Sequence, residues 1–335
     1  VPISSIGFPV LARIFSISLF QEMQKGNTTG ISEFLLLGLS EQPNHQLILF
    51  GIFLTMYLVT ILGNLLIILA IASNSHLHSP MYFFLANLSL VDTCFTSTTV
   101  PKMLLNIWTH RQNISYAGCL TQMYFFMAFA LLDDFLLAAM AYDRYVAICL
   151  PLHYTTVMSP TRCVLLVTIS WLCSHLIALS LTLFMAQFSF CGSYVIPHFF
   201  CDLLPLLKLS CSDTSIFQVV MFIDASLAGF IPFACILFSY VHIILTIFRV
   251  PSDDGKHKVF STCGSHLSMV ILFYGTLILV YLQPSSSYSA ETGIIASVMY
   301  TVVTPMMNPF IYSLRNKDMK RALRKLLSKG MTPSW

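Results

Sequence analysis

The stretch MAYDRYVAIC, Met140 to Cys149, closes an apolar run that begins near Cys119. Asp92, Asp133, Asp134, Asp143 and Arg144 all lie in or at the end of such runs. A charged side chain at the centre of a membrane helix costs roughly 2.5–3.5 kcal/mol on insertion scales. A chain that carries several of them uses them for something. Asp143 and Arg144 are adjacent opposite charges at a helix end. They can pair locally, or hold a neighbouring helix until a partner displaces them, as a two-state element does. The plainer alternative is an interfacial anchor, because Arg side chains snorkel to the membrane surface.

Around this string the composition excludes an aqueous fold. The 335 residues are 56% hydrophobic and only 9% charged, against about 25% charged in ordinary soluble domains. Seven apolar stretches stand out, at 47–72, 80–105, 119–148, 163–186, 216–248, 259–282 and 293–314. Each is near the roughly 20 residues that cross a ~30 Å hydrocarbon core. They are continuously apolar rather than alternating, so helices are expected and a barrel is not. The expected fold is an all-α membrane protein, a seven-helix bundle over 47–314. No loop is long enough for a catalytic domain.

Twelve of the 17 basic residues fall on one side if the amino terminus is outside, most of them in the tail from Arg315 to Lys329. That skew predicts a cytoplasmic carboxyl terminus and makes the net charge of +3 a matter of topology, with no nucleic-acid partner. In 315–335, Met319, Leu323 and Leu326 recur at helical spacing, which predicts a short amphipathic helix on the inner leaflet. The alternative is a solvated charged tail. Residues 1–22, interrupted by Pro9 and Arg13, are expected to be an extension upstream of Met23, or a weak signal sequence. Residues 23–46 are the expected extracellular amino terminus. Asn27 begins a glycosylation sequon there, and Asn113 a second one closer to the membrane.

Cys119, Cys191, Cys201 and Cys211 share the expected outer face, so two disulfides are possible, in three pairings. Asn64, Asp92, Asp133 and Asn308 lie at mid-depth in four spans. Two carboxylates and two amides inside a bundle can hold a small cation or share a proton. Equally, they can form a polar network that only fixes packing. Pro232, Pro305 and Pro309 permit kinks, and Asn308 is expected to compensate the backbone bond missing in the last span. His198, Cys201 and Asp202 would suit a metal only if Cys201 kept its thiolate, so no metal site is assigned. No phosphate loop, HExxH or nucleophile elbow is present, so no enzyme activity is expected.

Further strings now join the first: Pro80 to Leu85 (PMYFFL), Leu88 to Asp92 (LSLVD), Lys258 to Leu267 (KVFSTCGSHL) and Pro305 to Asn316 (PMMNPFIYSLRN). With MAYDRYVAIC they identify a resemblance, from about Met23 onward, to the tetrapod-type olfactory receptors of the rhodopsin-like G-protein-coupled class. Val259 departs from the family's usual Ala. The resemblance implies bonds Cys119–Cys201 and Cys191–Cys211. It makes Asp143, Arg144 and Tyr145 the coupling motif, with Tyr240 and Tyr312 as activation partners of Arg144. His266, Tyr274, Asn308, Pro309 and Tyr312 become switch residues, and Asp92 and Asp133 a buried ion pocket that could hold Na+. It also implies a stimulatory, olfactory-type G protein, cyclic AMP as the output, and a plasma-membrane site in olfactory cilia.

The family's pocket lies between the third, fifth, sixth and seventh spans. Helical spacing there offers Phe126, Met127, Ala130 and Leu131, then Asp224, Ala225 and Ala228, then Tyr274, Leu277, Ile278 and Tyr281, and finally Val298 and Thr301. These groups are mostly apolar, so a small hydrophobic ligand is expected. Asp224 is the unusual member. With no cationic partner visible, a neutral odorant fits better than an amine. A transporter or channel is the competing reading, but no internal repeat is visible. A structural scaffold would leave the buried carboxylates unexplained.

Overall fold

The computed structural model describes residues 32–39, 43–191, 194–249, 253–281 and 290–330. Residues 1–22 and Asn27 therefore lie outside the described residues. Among those described, seven long helices form one bundle. They are α1 (Pro43–Ser73), α2 (Pro80–Thr109), α3 (Tyr116–Cys149) and α4 (Pro160–Met185). Then come α5 (Ser215–Arg249), α6 (Asp253–Tyr281) and α7. The last of these runs from Ala290–Val298 through a π-helical turn, Met299–Val303, into Thr304–Arg315. Proline opens α1, α2 and α4, where its missing N–H costs nothing.

Five of these helices are long and apolar enough to cross a bilayer by composition, and α6 adds the apolar stretch Cys263–Leu279. More polar is α2, but its Ser89, Asp92, Thr96 and Thr99 are all buried. The outer surface carries Leu62, Leu172, Phe230 and Phe248, each more than half exposed. Such a surface suits hydrocarbon and would aggregate in water. The axle is α3: 67% of its most apolar stretch is buried, against 22% in α1 and 28% in α4.

A small sheet caps the end of the bundle remote from Arg144. Its order is β2–β1–β3, with β1 (Glu33–Leu36) antiparallel to β2 (Asn113–Ser115) and parallel to β3 (Val195–Ile196). Phe34, Leu36, Ile114 and Ile196 bury its inner face against Phe190 and Tyr116. Disulfides Cys119–Cys201 and Cys191–Cys211 hold the long connection beneath it, with Cα atoms 5.4 and 5.8 Å apart. At the other end α8 (Lys317–Gly330) leaves the bundle. Asn316 caps it by accepting from the N–H groups of Asp318 and Met319. Met319 and Ala322 are buried, while Lys320, Arg321, Arg324 and Lys325 are exposed, so the helix is amphipathic as its spacing predicts.

Two prolines act through π-helical turns. Ser226–Phe230 precedes Pro232 in α5, and Met299–Val303 precedes Pro305 in α7. A wider turn relieves the clash between a proline ring and the preceding turn. The expected role of Asn308 needs correction. Pro309 cannot donate to the Pro305 carbonyl, but Asn64 Nδ2 on α1 reaches that oxygen at 3.4 Å. Gly63 permits the approach, since a Cβ there would sit 3.0 Å from the Pro309 ring. Asn308 is directed to Asp92 instead.

Candidate functional site

Three sites are stacked along α3. Nearest the sheet is a cavity of about 430 Å³. From α3 it is lined by Phe126, Met127, Ala130, Leu131 and Asp134; from α5 by Met221, Phe222, Asp224, Ala225 and Gly229; from α6 by Phe273 and Leu277. Its size and apolar lining suit a small hydrophobic molecule. Phe126 stacks on Phe95, with ring centres 5.1 Å apart, and lies 4.7 Å from Phe200.

Of the thirteen expected ligand residues, Phe126, Met127, Ala130, Leu131, Asp224, Ala225 and Leu277 line this cavity. The others do not line it, for identifiable reasons. The π-helical turn in α5 advances the inward face by one residue. Gly229 therefore takes the place expected for Ala228, which faces a lateral groove with Pro232 and Cys235. On α7 Tyr300, at the π-helical segment Met299–Val303, reaches the cavity. Thr301 is buried and bonds the Ser297 carbonyl, and Val298 packs into the core. On α6 the face is Phe273 and Leu277. Ile278 is 52% exposed on the outside, and Tyr274 turns to Asp134. The Tyr281 side chain lies outside those described. Sequence reasoning missed Ile177 and Leu181 on α4, and Asp202, Leu203 and Leu204 in the loop. The signal for the loop residues was Cys201, whose bond to Cys119 brings the next residues over α3.

That loop is strapped down by more than the disulfide. Gln122 Oε1 accepts from the Cys201 N–H at 2.9 Å, while its amide donates to the Thr98 carbonyl. His198 Nε2 meets Ser297 Oγ at 3.1 Å, and burial lowers its pKa to about 4. Asp202 caps the helical turn Leu203–Leu207, and burial raises its pKa to about 6, offset in part by the bond from the Leu203 N–H. Cys201 is held in a disulfide, so its sulfur is not a free thiolate beside His198 and Asp202.

Below the cavity is the polar centre. Asn308 Nδ2 donates to both oxygens of Asp92, at 3.0 and 2.8 Å. Asp92 and Asp133 line one small void with Thr304 and Asn308. Phe273 and Tyr300 line both this void and the cavity, so they form the partition between the two.

The third site is the Arg144 end. Arg144 is paired with Asp143, whose other oxygen accepts from the Tyr154 hydroxyl at 2.8 Å. Tyr154 lies in the turn between α3 and α4, and burial together with Asp143 pushes its phenol pKa up. Tyr240 and Tyr312, expected as partners of Arg144, bond elsewhere in this conformation. The Tyr240 hydroxyl meets His266 Nδ1 at 2.7 Å, and that of Tyr312 lies 4.0 Å from Met140 Sδ. His266 Nε2 reaches the Leu137 carbonyl at 3.1 Å, and Tyr145 packs edge-on to Phe238 and His242. This is a closed arrangement, with the arginine held on its own helix.

The family model described as olfactory receptor matches residues 53–330. Mouse olfactory receptor 1M1 is 57% identical over 93% of this chain and 100% of its own length. Human olfactory receptor 7C1 is 60% identical over 92% of this chain and 96% of its own. The chain belongs to the olfactory receptor family. In fold it is similar to squid rhodopsin, with a TM-score of 0.64 at 18% identity, over 84% of this chain and 85% of that one. Family membership makes it a multi-pass membrane receptor of the seven-helix, G-protein-coupled kind, and not an enzyme. Along α3 the chain thus carries an apolar cavity, a buried polar void and the Asp143–Arg144 pair in succession.

Proposed function

We propose that the chain is an odorant receptor that takes a small, mostly hydrophobic volatile into the α3–α5–α6 cavity and activates a stimulatory G protein to raise cyclic AMP. The observation that carries this is the stacking itself. A 430 Å³ apolar cavity shares Phe273 and Tyr300 with the Asp92–Asp133 void, and both lie on the helix that ends in the Asp143–Arg144 pair. The amino terminus would be outside, as the basic tail requires, in the cilia of sensory neurons. The transporter alternative loses its support once the family is known.

A small hard cation such as Na+ fits the polar centre. Asp133 Oδ1 and Asn308 Oδ1 are buried without a partner among the described residues, and such oxygens are the donors a hard cation takes. Asp92 and Asp133 would hold it, with their carboxylate oxygens as the donors.

Expression of the full chain in cells, a screen of a volatile panel, and cyclic AMP as readout test the reading. An agonist response that vanishes in Arg144→Ala, while the receptor still reaches the surface, is expected. Ligand-evoked solute flux without a G protein would overturn it.

A further inference from the structure

We propose that Asp134 is the polar anchor of the cavity, and that the preferred ligand carries a hydrogen-bond donor, a hydroxyl or an amine, which replaces Tyr274 on that carboxylate. This rests on the cavity reading above and adds to it the atom that reads the ligand's head. Asp134 belongs to α3, is 5% exposed, and still lines the cavity. One of its oxygens accepts from the Tyr274 hydroxyl. Tyr274 itself is not part of the cavity wall. Its ring packs edge-on to Phe233 and Phe273, at 5.0 and 5.3 Å. The phenol thus approaches the carboxylate from α6, while the cavity approaches it from another side.

The competing acid is Asp224. It also lines the cavity, but it is only partly buried and its chain neighbours Ile223 and Ala225 are exposed. A hydrogen bond in a dry site is stronger and more selective than one at an open edge. Leaving a buried acceptor unmet is costly. A ligand that pushes Tyr274 aside must therefore offer a donor of its own, and one without a donor leaves Tyr274 in place. That is selection by the ligand's head group, from a cavity whose other walls select only for apolar shape.

The same bond gives the ligand leverage. Among the described residues, side-chain hydrogen bonds fasten α6 to α3 at two heights: Tyr274 to Asp134, and His266 to the Leu137 carbonyl. A ligand shifts a conformational equilibrium only through contacts that differ between the states. Displacing Tyr274 is such a contact, because it removes one of these fasteners.

The test uses the full-length receptor in cell membranes, with G-protein activation as readout and surface expression measured for each variant. Octan-1-ol, octylamine and heptyl methyl ether share a chain length and differ in the donor. In the wild type the alcohol or the amine should be at least about tenfold more potent than the ether, and Asp134→Ala should remove that preference. Asp134→Asn separates the two donor types: an amine held by charge loses its potency, whereas an alcohol keeps it. The basal readout needs no agonist. Tyr274→Phe and Asp134→Ala should each raise basal activity several-fold, and the double variant no further than either alone. Equal potency of ether and alcohol in the wild type, or additive basal effects, overturns the anchor. Leu277→Trp, which fills the cavity, tests the reading beneath it. If it silences every probe while Asp134→Ala leaves their ranking unchanged, the cavity stands and the anchor falls. If responses survive it, the cavity reading itself fails.

Discussion

The two halves of the bundle are held differently. At the Arg144 end polar side chains close on one another: Arg144 on Asp143, Tyr154 on Asp143, Tyr240 on His266, and His266 on the Leu137 backbone. At the sheet end a disulfide and the Gln122 strap hold the rim, and the space within is left to apolar walls. Half-satisfied polar networks are expensive in low dielectric, so the closed end has few good arrangements, which is what the proposed switch role needs. Apolar walls accept many shapes at similar cost, so the cavity can vary its lining without losing the fold.

The sharpest break of that contrast is at the switch. Arg144→Ala should drop agonist-evoked cyclic AMP to background with surface expression at least partly kept, because Asp143 retains Tyr154 as a partner. Normal signalling from that variant would show that the closed pair is only an anchor. Next in size is the rim. Cys119→Ser opens a bond spanning 82 residues, where losing a native disulfide costs about 2–5 kcal/mol. Surface expression should collapse, and non-reducing peptide mapping of the wild type should return Cys119–Cys201 and Cys191–Cys211. Alkylation of Cys201 as a free thiol would contradict the pairing.

The walls should give graded effects. Phe126→Ala and Leu277→Ala each remove buried apolar contact worth about 1.5–3 kcal/mol, so agonist potency should fall roughly tenfold or more. Ile278→Ala, one residue away but 52% exposed on the outside, should leave the dose–response curve where it was. A larger loss at Ile278 than at Leu277 would mean that the face is assigned wrongly. Asp224→Asn should cost a neutral agonist and an amine alike only a little, because Asp224 is only partly buried and the proposed anchor is Asp134. An amine that loses most of its potency there would make Asp224, and not Asp134, the acid that reads the head group.

The difference between the halves also decides what could be read from the chain. The closed end was legible because its residues are charged or polar within apolar runs, and such residues need a reason: Asp92, Asp133, Asp143 and Arg144 declare themselves. The seven helices and the amphipathic α8 were legible from composition and spacing. The cavity was legible on α3, which is regular through this stretch, and lost register where the backbone is not regular. Helical spacing from Asp224 leads to Ala228, but the π-helical turn Ser226–Phe230 moves the inward position to Gly229. On α7, where the backbone is π-helical over Met299–Val303, the wall is Tyr300 and not the neighbouring Thr301. A proline signals that something must give, not which residue gains the extra step. The Asn64 bond to Pro305 was likewise hidden, because it depends on how closely Gly63 lets α7 approach.

The smallest expected effect concerns the roof. Asp202 lines the cavity beneath the disulfide, and burial holds its pKa near 6 against an ordinary 3.8. An acid whose pKa is raised on folding favours the folded state most below its unfolded pKa, and that advantage is lost as pH climbs through the folded value. The window is therefore about pH 4 to 6, and above it the cost is complete. A shift of about two units corresponds to at most about 3 kcal/mol. Asp202→Asn keeps a side chain able to cap Leu203 and cannot ionise. In detergent at pH 7.5 this variant should melt a few degrees above the wild type, and the two curves should converge towards pH 4. Equal melting at pH 7.5 would mean that water or a cation already compensates the carboxylate. A lower melting point for the variant would mean that the charge of Asp202 is itself part of what holds the loop over the cavity.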